Sequence, residues 1–270
     1  MIESLPKERT KLWLGVCIKT CRGRAMQTFE SRTIGEIALT SPAATRILEE
    51  YKIDYCCHGK MLFSEACKKA GVDVDVVETR LIDLMAVDAK SDLEVLPTLS
   101  LAELITYIVE KHHIYTKKEL EQLGELSKNT LEIHGERHPE LIAVNDIFSR
   151  VSEDLIPHMM KEEIVLFPYI ADLESNVNSG KARRKPHFGS VTNPIGMMAG
   201  EHEHVAALLM EMRAAAGNYR VPSDGCPSYR SFYARLAELE RDLHQHIHLE
   251  NNLLFVKAVE LDEQADLLSN

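Results

Sequence analysis

His246 to Phe255 reads HIHLENNLLF and His158 to Pro168 reads HMMKEEIVLFP, and the spacing inside these two stretches decides the fold. In each, a histidine precedes a glutamate by four residues, which places both side chains on one face of a helix. Working back from His246, apolar residues recur at alternating steps of three and four: Leu243, Leu239, Leu236 and Phe232. Working back from His158 gives Leu155, Val151, Ile147 and Val144, and Leu253 and Val165 are expected to continue the two stripes past the glutamates. Such stripes face the centre of a helical bundle. Two more complete the set: Ile195, Met198, His202, Val205, Leu209 and Met212, then Ile105, Val109, His113, Thr116, Leu120 and Leu123.

Every stripe is thus interrupted by a histidine, and two carry a glutamate one turn later. Burying carboxylates without partners is expensive. A metal satisfies neutral imidazole nitrogens and carboxylate oxygens together. One buried histidine is usually structural, and one HxxxE pair is weak. Four histidines in register with two glutamates point to a centre of two metals bridged by two carboxylates. The predicted ligands are His113, His158, Glu162, His202, His246 and Glu250, with His112 close enough to exchange with His113. Nitrogen and oxygen donors together favour two iron ions over manganese or zinc. His134, His138 and His187 are expected in loops, exposed to solvent. Glu163, Glu201 and Asp154 adjoin ligands and are candidates to orient them.

Around this bundle the chain divides into three parts. Residues 1–28 are expected to be a leader, disordered or upstream of a true start at Met26; the apolar run Leu12–Ile18 is too short, and its basic flank wrong, for a signal peptide. Residues 29–90 read as a small helical domain: a capping box at Thr33 and Glu36, an N-cap at Ser41 before Pro42, and helices near Leu62–Ala70 and Val74–Val87. A polar linker near Pro97 leads to a bundle over residues 98–266, opened by a second capping box at Ser100 and Glu103. Its four long helices are expected to end near Lys128, Leu173, Ala216 and Ala265, in an up-down arrangement. The fold class is all-α. A net charge of −11 argues against nucleic-acid binding, and no apolar run approaches membrane-spanning length.

Cys56 and Cys57 stand side by side in the loop between two short helices, followed by His58 and Lys60. Adjacent cysteines rarely pair with each other. A positive neighbour would make such thiols reactive or metal-binding, with Cys67 as a third thiol; the other reading is simple packing in a small core. Cys226 stands alone, without an assigned role.

These motifs resemble the iron–sulfur cluster repair di-iron proteins, also called Repair of Iron Centres proteins. The resemblance covers about residues 30–262. It rests on Thr33–Glu36, on Ile53–Cys57 and Glu65–Cys67, on His158–Pro168, on Glu201–Glu203 and on His246–Phe255. Two departures are His58, where the family has glycine after the cysteines, and Val256, where it has proline. The resemblance implies a hemerythrin-like bundle whose di-iron ligands fall on the same six residues. It also implies a cytoplasmic stress protein that restores clusters damaged by nitric oxide or oxidants. Its partners would be the damaged iron–sulfur proteins, with Cys56 and Cys57 taking part in iron or nitrosyl transfer. Self-association into a homodimer is compatible with the sequence. Reduction of nitric oxide at the metals, or an oxygen or nitric oxide sensor or iron store, would be other uses of such a centre. Ferritin-like sites use ExxH spacing instead.

Overall fold

In a computed structural model, residues 29–85, 95–181 and 186–268 are described; the expected leader and most of the expected linker lie outside them. The described residues are all-α, with one isolated antiparallel bridge between Thr33 and Leu62.

The N-terminal unit contains four helices, α1 (Ile34–Ala38), α2 (Pro42–Glu50), α3 (Phe63–Ala70) and α4 (Val74–Met85). Their boundaries follow local chemistry. Thr33 accepts from the Glu36 amide while the Glu36 carboxylate accepts from the Thr33 amide, so a five-residue helix has its first orphan donors satisfied. Ser41 caps α2 with Pro42 in its first turn, and Gly71 ends α3 in the left-handed conformation at φ 71°. Phe63, Ile34, Ile37, Ile47, Leu48 and Leu81 fill the core, and Ile247 of the bundle enters the same cluster.

The bundle has four long helices. α5 runs through Leu101–Ile108, a π turn Val109–His113 and Ile114–His134. α6 runs through Glu140–Lys161, a π turn Glu162–Leu166 and Phe167–Asn178. α7 is Thr192–Ala215, and α8 runs through Pro227–Leu249, a π turn Glu250–Leu254 and Phe255–Leu268. α6 packs chiefly on α7, and α5 on α8 and α6. α5 and α6 extend further than expected, to His134 and Asn178.

The π turns of α5 and α6 correct the predicted stripes, whereas past that of α8 the expected Leu253 is buried. A π turn holds one more residue than an α turn, so everything beyond it rotates by about 100° relative to a regular helix. Beyond Glu162 the buried residue is therefore Leu166, while the expected Val165 is 41 % exposed. Ahead of His113 the stripe is Leu101, Leu104 and Ile108 instead of Ile105 and Val109. α7 has no such turn, and its stripe from Met198 to Met212 is buried as expected.

Two apolar clusters fill the bundle, one on either side of the histidine level. Thr116 and Leu120, Leu155, Val205 and Leu243 border that level toward one cluster. Ile108, Leu166, Met198 and Leu253 border it toward the other. No helix among the described residues is long and apolar enough to cross a membrane.

Candidate metal centre

Between the two clusters the six predicted ligands converge, all essentially buried. They form two groups that share both glutamates: His113, His246, Glu162 and Glu250, and His158, His202, Glu162 and Glu250. In the first group, His113 Nε2 lies 3.1 Å from His246 Nε2 and 3.5 Å from both Glu162 Oε2 and Glu250 Oε1. In the second, His158 Nε2 lies 3.0 Å from His202 Nε2 and 3.4 Å from Glu162 Oε1, and His202 Nε2 is 3.1 Å from Glu250 Oε2. Each carboxylate therefore turns one oxygen toward each group.

Outer partners decide which imidazole nitrogen faces inward. His113 Nδ1–H donates to Glu163 at 2.7 Å, and His158 Nδ1–H donates to Glu201 at 2.7 Å. His202 Nδ1–H donates to the Asn251 side-chain oxygen at 2.9 Å. Lys117 and Lys161 in turn pair with Glu163 and Glu201. Carboxylate and amide oxygens only accept, so the inner Nε2 of His113, His158 and His202 carries a lone pair; His246 Nδ1 has no partner. The interior of the site is then acceptors facing acceptors. Both oxygens of Glu162 and Oε2 of Glu250 have no hydrogen-bond partner. Such an arrangement needs cations at its centre, and oriented histidines of this kind are typical of metal sites. The donor set fits a pair of metal ions.

Protons take the same role when metal is removed. Burial works to lower the His158 imidazole, but Glu162, Glu250 and Glu201 outweigh it and hold it up at about 9. His113 is raised by Glu250, Glu162 and Glu163 against the same burial, whereas His246, wholly buried, is lowered. Glu250 is held well below the ordinary carboxylate value, its burial outweighed by His246, His113 and His202. A basic group raised from 6.5 to about 9 on folding stabilises fully below 6.5 and ceases to do so as pH rises through 9. We expect the melting temperature of the chelated protein to fall between those pH values. The metal-loaded protein, with its imidazoles already deprotonated, should hold its melting temperature there. Calorimetry on both forms checks this.

His113, and not His112, points into the centre. His112 is also buried, but it stacks on His246 at 5.7 Å and pairs with Asp242 at 3.0 Å. Glu163 and Glu201 hydrogen-bond the His113 and His158 rings. Asp154 does not: it pairs with exposed His204 at the surface. Sequence reasoning missed Asn251, which bonds both His202 and the N-terminal unit, and the contact of His248 with that unit.

That unit brings Cys56 and Cys57 to the bundle. Asn252 Nδ2–H donates to the Cys56 carbonyl at 2.9 Å, and Asn251, which accepts from His202, also donates to that carbonyl at 3.4 Å. His248 Nδ1 lies 3.3 Å from the Tyr55 carbonyl. Cys56, Cys57 and Asp54 cluster, with the two sulfurs 3.7 Å apart and unbonded. Cys67 is not part of this group; it is fully buried in the core of the N-terminal unit. The expected lowering of thiol pKa by positive neighbours is not found for Cys56. Its sulfur contact with Cys57, burial and Asp54 push it well up, and burial pushes Cys67 up to about 11. His58 spends its ring on Asp54, 2.7 Å away.

Comparison with known proteins agrees with this geometry. Residues 104–258 match the family described as Hemerythrin HHE cation binding domain, and residues 30–85 match a Domain of Unknown function (DUF542). The chain is 31 % identical over 232 residues to the iron-sulfur cluster repair protein YtfE of Dickeya chrysanthemi, covering 86 % of this chain and 98 % of that one. It is 30 % identical to a probable iron-sulfur cluster repair protein of Haemophilus influenzae, with the same coverage. Against YtfE of Cronobacter sakazakii it is 32 % identical, covering 86 % and 97 %. The bundle is of the hemerythrin class. The chain belongs to the iron–sulfur cluster repair family, in which the hemerythrin-like part follows a double-cysteine unit.

Proposed function

We propose that this protein binds two iron ions through His113, His158, Glu162, His202, His246 and Glu250, and gives iron to damaged iron–sulfur clusters of client proteins. The observation that carries this reading is the pair of buried glutamates, each offering one oxygen to each histidine pair. Imidazole and carboxylate hold ferrous iron less firmly than the thiolates of a cluster site, so transfer runs from the bundle to the client. The chain's own residues supply the rest. Glu163, Glu201 and Asn251 fix the rings, and the flanking apolar layers keep water from the centre.

A groove of about 750 Å³ runs along the seam from Cys57 and His58 past Asn251 to Phe255 and Glu203. We take Cys56 and Cys57 to receive the iron on this path. The double-cysteine domain is read as residues 29–90 and the bundle as 98–266. The protein works in the cytoplasm, where thiols stay reduced.

Elemental analysis and a transfer assay to a peroxide-damaged cluster protein test the reading. Changing both Cys56 and Cys57 to serine should leave iron content unchanged and reduce the transfer rate at least about tenfold, since thiolates are the stronger iron ligands. Full transfer by that variant would remove the cysteines from the path. An iron-free native protein would overturn the whole reading.

A further inference from the structure

Far from the metal centre, at the other end of α5, a second cysteine environment differs from the first. His134 lies 21 residues beyond His113 on α5, about 30 Å along a helix. It was expected in an exposed loop, but α5 extends to include it and its ring is only 4 % exposed. Its Nε2 lies 3.0 Å from Cys226 Sγ, and its Nδ1 has no partner. Cys226 is half-buried and stands at the N-cap of α8, whose first helical stretch, Pro227–Leu249, has 23 residues.

The surroundings favour a charged sulfur. The backbone N–H groups of Tyr229 and Ser228 in the first turn of α8 hold the Cys226 thiol below its ordinary value against desolvation, although its side chain makes no capping hydrogen bond to them. The carboxylates that would oppose this are engaged elsewhere. From α6, Glu140 lies 3.1 Å from His138 Nδ1, and from the preceding loop Asp224 lies 3.1 Å from His138 Nε2 and 3.6 Å from Arg137. Arg230 of α8 donates to the Gly225 carbonyl, and Tyr229 presents its ring edge to His134 at 5.4 Å. Cys56 and Cys67 show the opposite behaviour, held up by burial and neighbours.

We propose that Cys226 and His134 form a reactive thiolate–imidazole pair that is a modification site for hydroperoxides. A nucleophile within reach of a buried base is an arrangement that activates a thiol. The thiol proton passes to His134 Nε2, and the thiolate attacks one peroxide oxygen. A sulfur–oxygen bond forms as the oxygen–oxygen bond breaks. The sulfur loses two electrons and the peroxide gains them. The leaving hydroxide takes the proton from His134 and departs as water. Among the described residues the other cysteines, Cys56, Cys57 and Cys67, all belong to the N-terminal unit; a small external thiol resolves the sulfenic acid, forming a mixed disulfide and a second water.

The test uses the metal-loaded, full-length protein. Pulses of iodoacetamide at stepped pH, read at the Cys226 peptide by mass spectrometry, should give a rate profile with its midpoint at least about one unit below the ordinary thiol value near 8.5. Stoichiometric hydrogen peroxide with dimedone should label Cys226. His134→Gln should raise the midpoint and cut the label at least about tenfold, with metal content and melting temperature unchanged. A native midpoint at or above about 8.5 overturns the proposal, whatever the variant does. So does a label that His134→Gln leaves intact.

Discussion

Glu250→Ala should strip metal from both halves of the centre, because its carboxylate faces both histidine pairs. His202→Ala removes a donor from one group alone and should leave the other able to hold a cation. The two variants therefore separate a shared carboxylate from two independent sites. Elemental analysis after exposure to a chelator reads the difference: near-complete loss for Glu250→Ala, partial loss for His202→Ala. Retention of metal by Glu250→Ala would refute the bridged arrangement. Stability should fall as well. In the chelated protein, where His113 and His158 carry protons, removing the carboxylate takes away a buried partner, a loss of about 3–5 kcal/mol for comparable broken pairs.

Gly59→Ala should loosen the double-cysteine unit from the bundle. A Cβ at Gly59 would lie 2.0 Å from Asn252 Oδ1 and 2.4 Å from its Cγ. Asn252 is a short side chain already committed to the Tyr55 and Cys56 carbonyls, so it cannot swing aside and keep those bonds. Overpacking of this kind costs about 1–3 kcal/mol. Cys56, now 4 % exposed, should react faster with iodoacetamide, and iron delivery should slow while bound iron persists. Asn252→Ala relieves the clash, so the double variant should be no less stable than Asn252→Ala alone, a coupling that melting curves measure. Independent, additive losses would show that the seam is not closed by this contact.

How much of this was legible in the sequence depends on how local each feature is. The capping boxes at Thr33 and Ser100 need only the next three residues, and both form as read. The six residues of the candidate centre could be picked out because polar groups interrupting four apolar stripes stand out against a simple period. The π turns could not. Val165 and Leu166 are both apolar, so pattern alone does not say which one turns inward; in α8 both Leu253 and Leu254 are buried. The depth of His134 was hidden for another reason: the sulfur that faces it lies 92 residues away. The raised thiol of Cys56 is local in part, through the Cys57 sulfur beside it, and hidden in part, because its burial comes with packing on α8 nearly two hundred residues later.

The three π turns also govern how this chain tolerates changes in length. Each holds a spare residue beside a ligand, at Val109–His113, Glu162–Leu166 and Glu250–Leu254. Deleting one residue there would let the helix revert to regular winding and swing one of its flanks by about 100°, setting the ligands on one side of the deletion against the packing on the other. Insertions and deletions between helices carry no such penalty, because loops absorb them. Natural variation in length should therefore collect in the connections and avoid three five-residue windows.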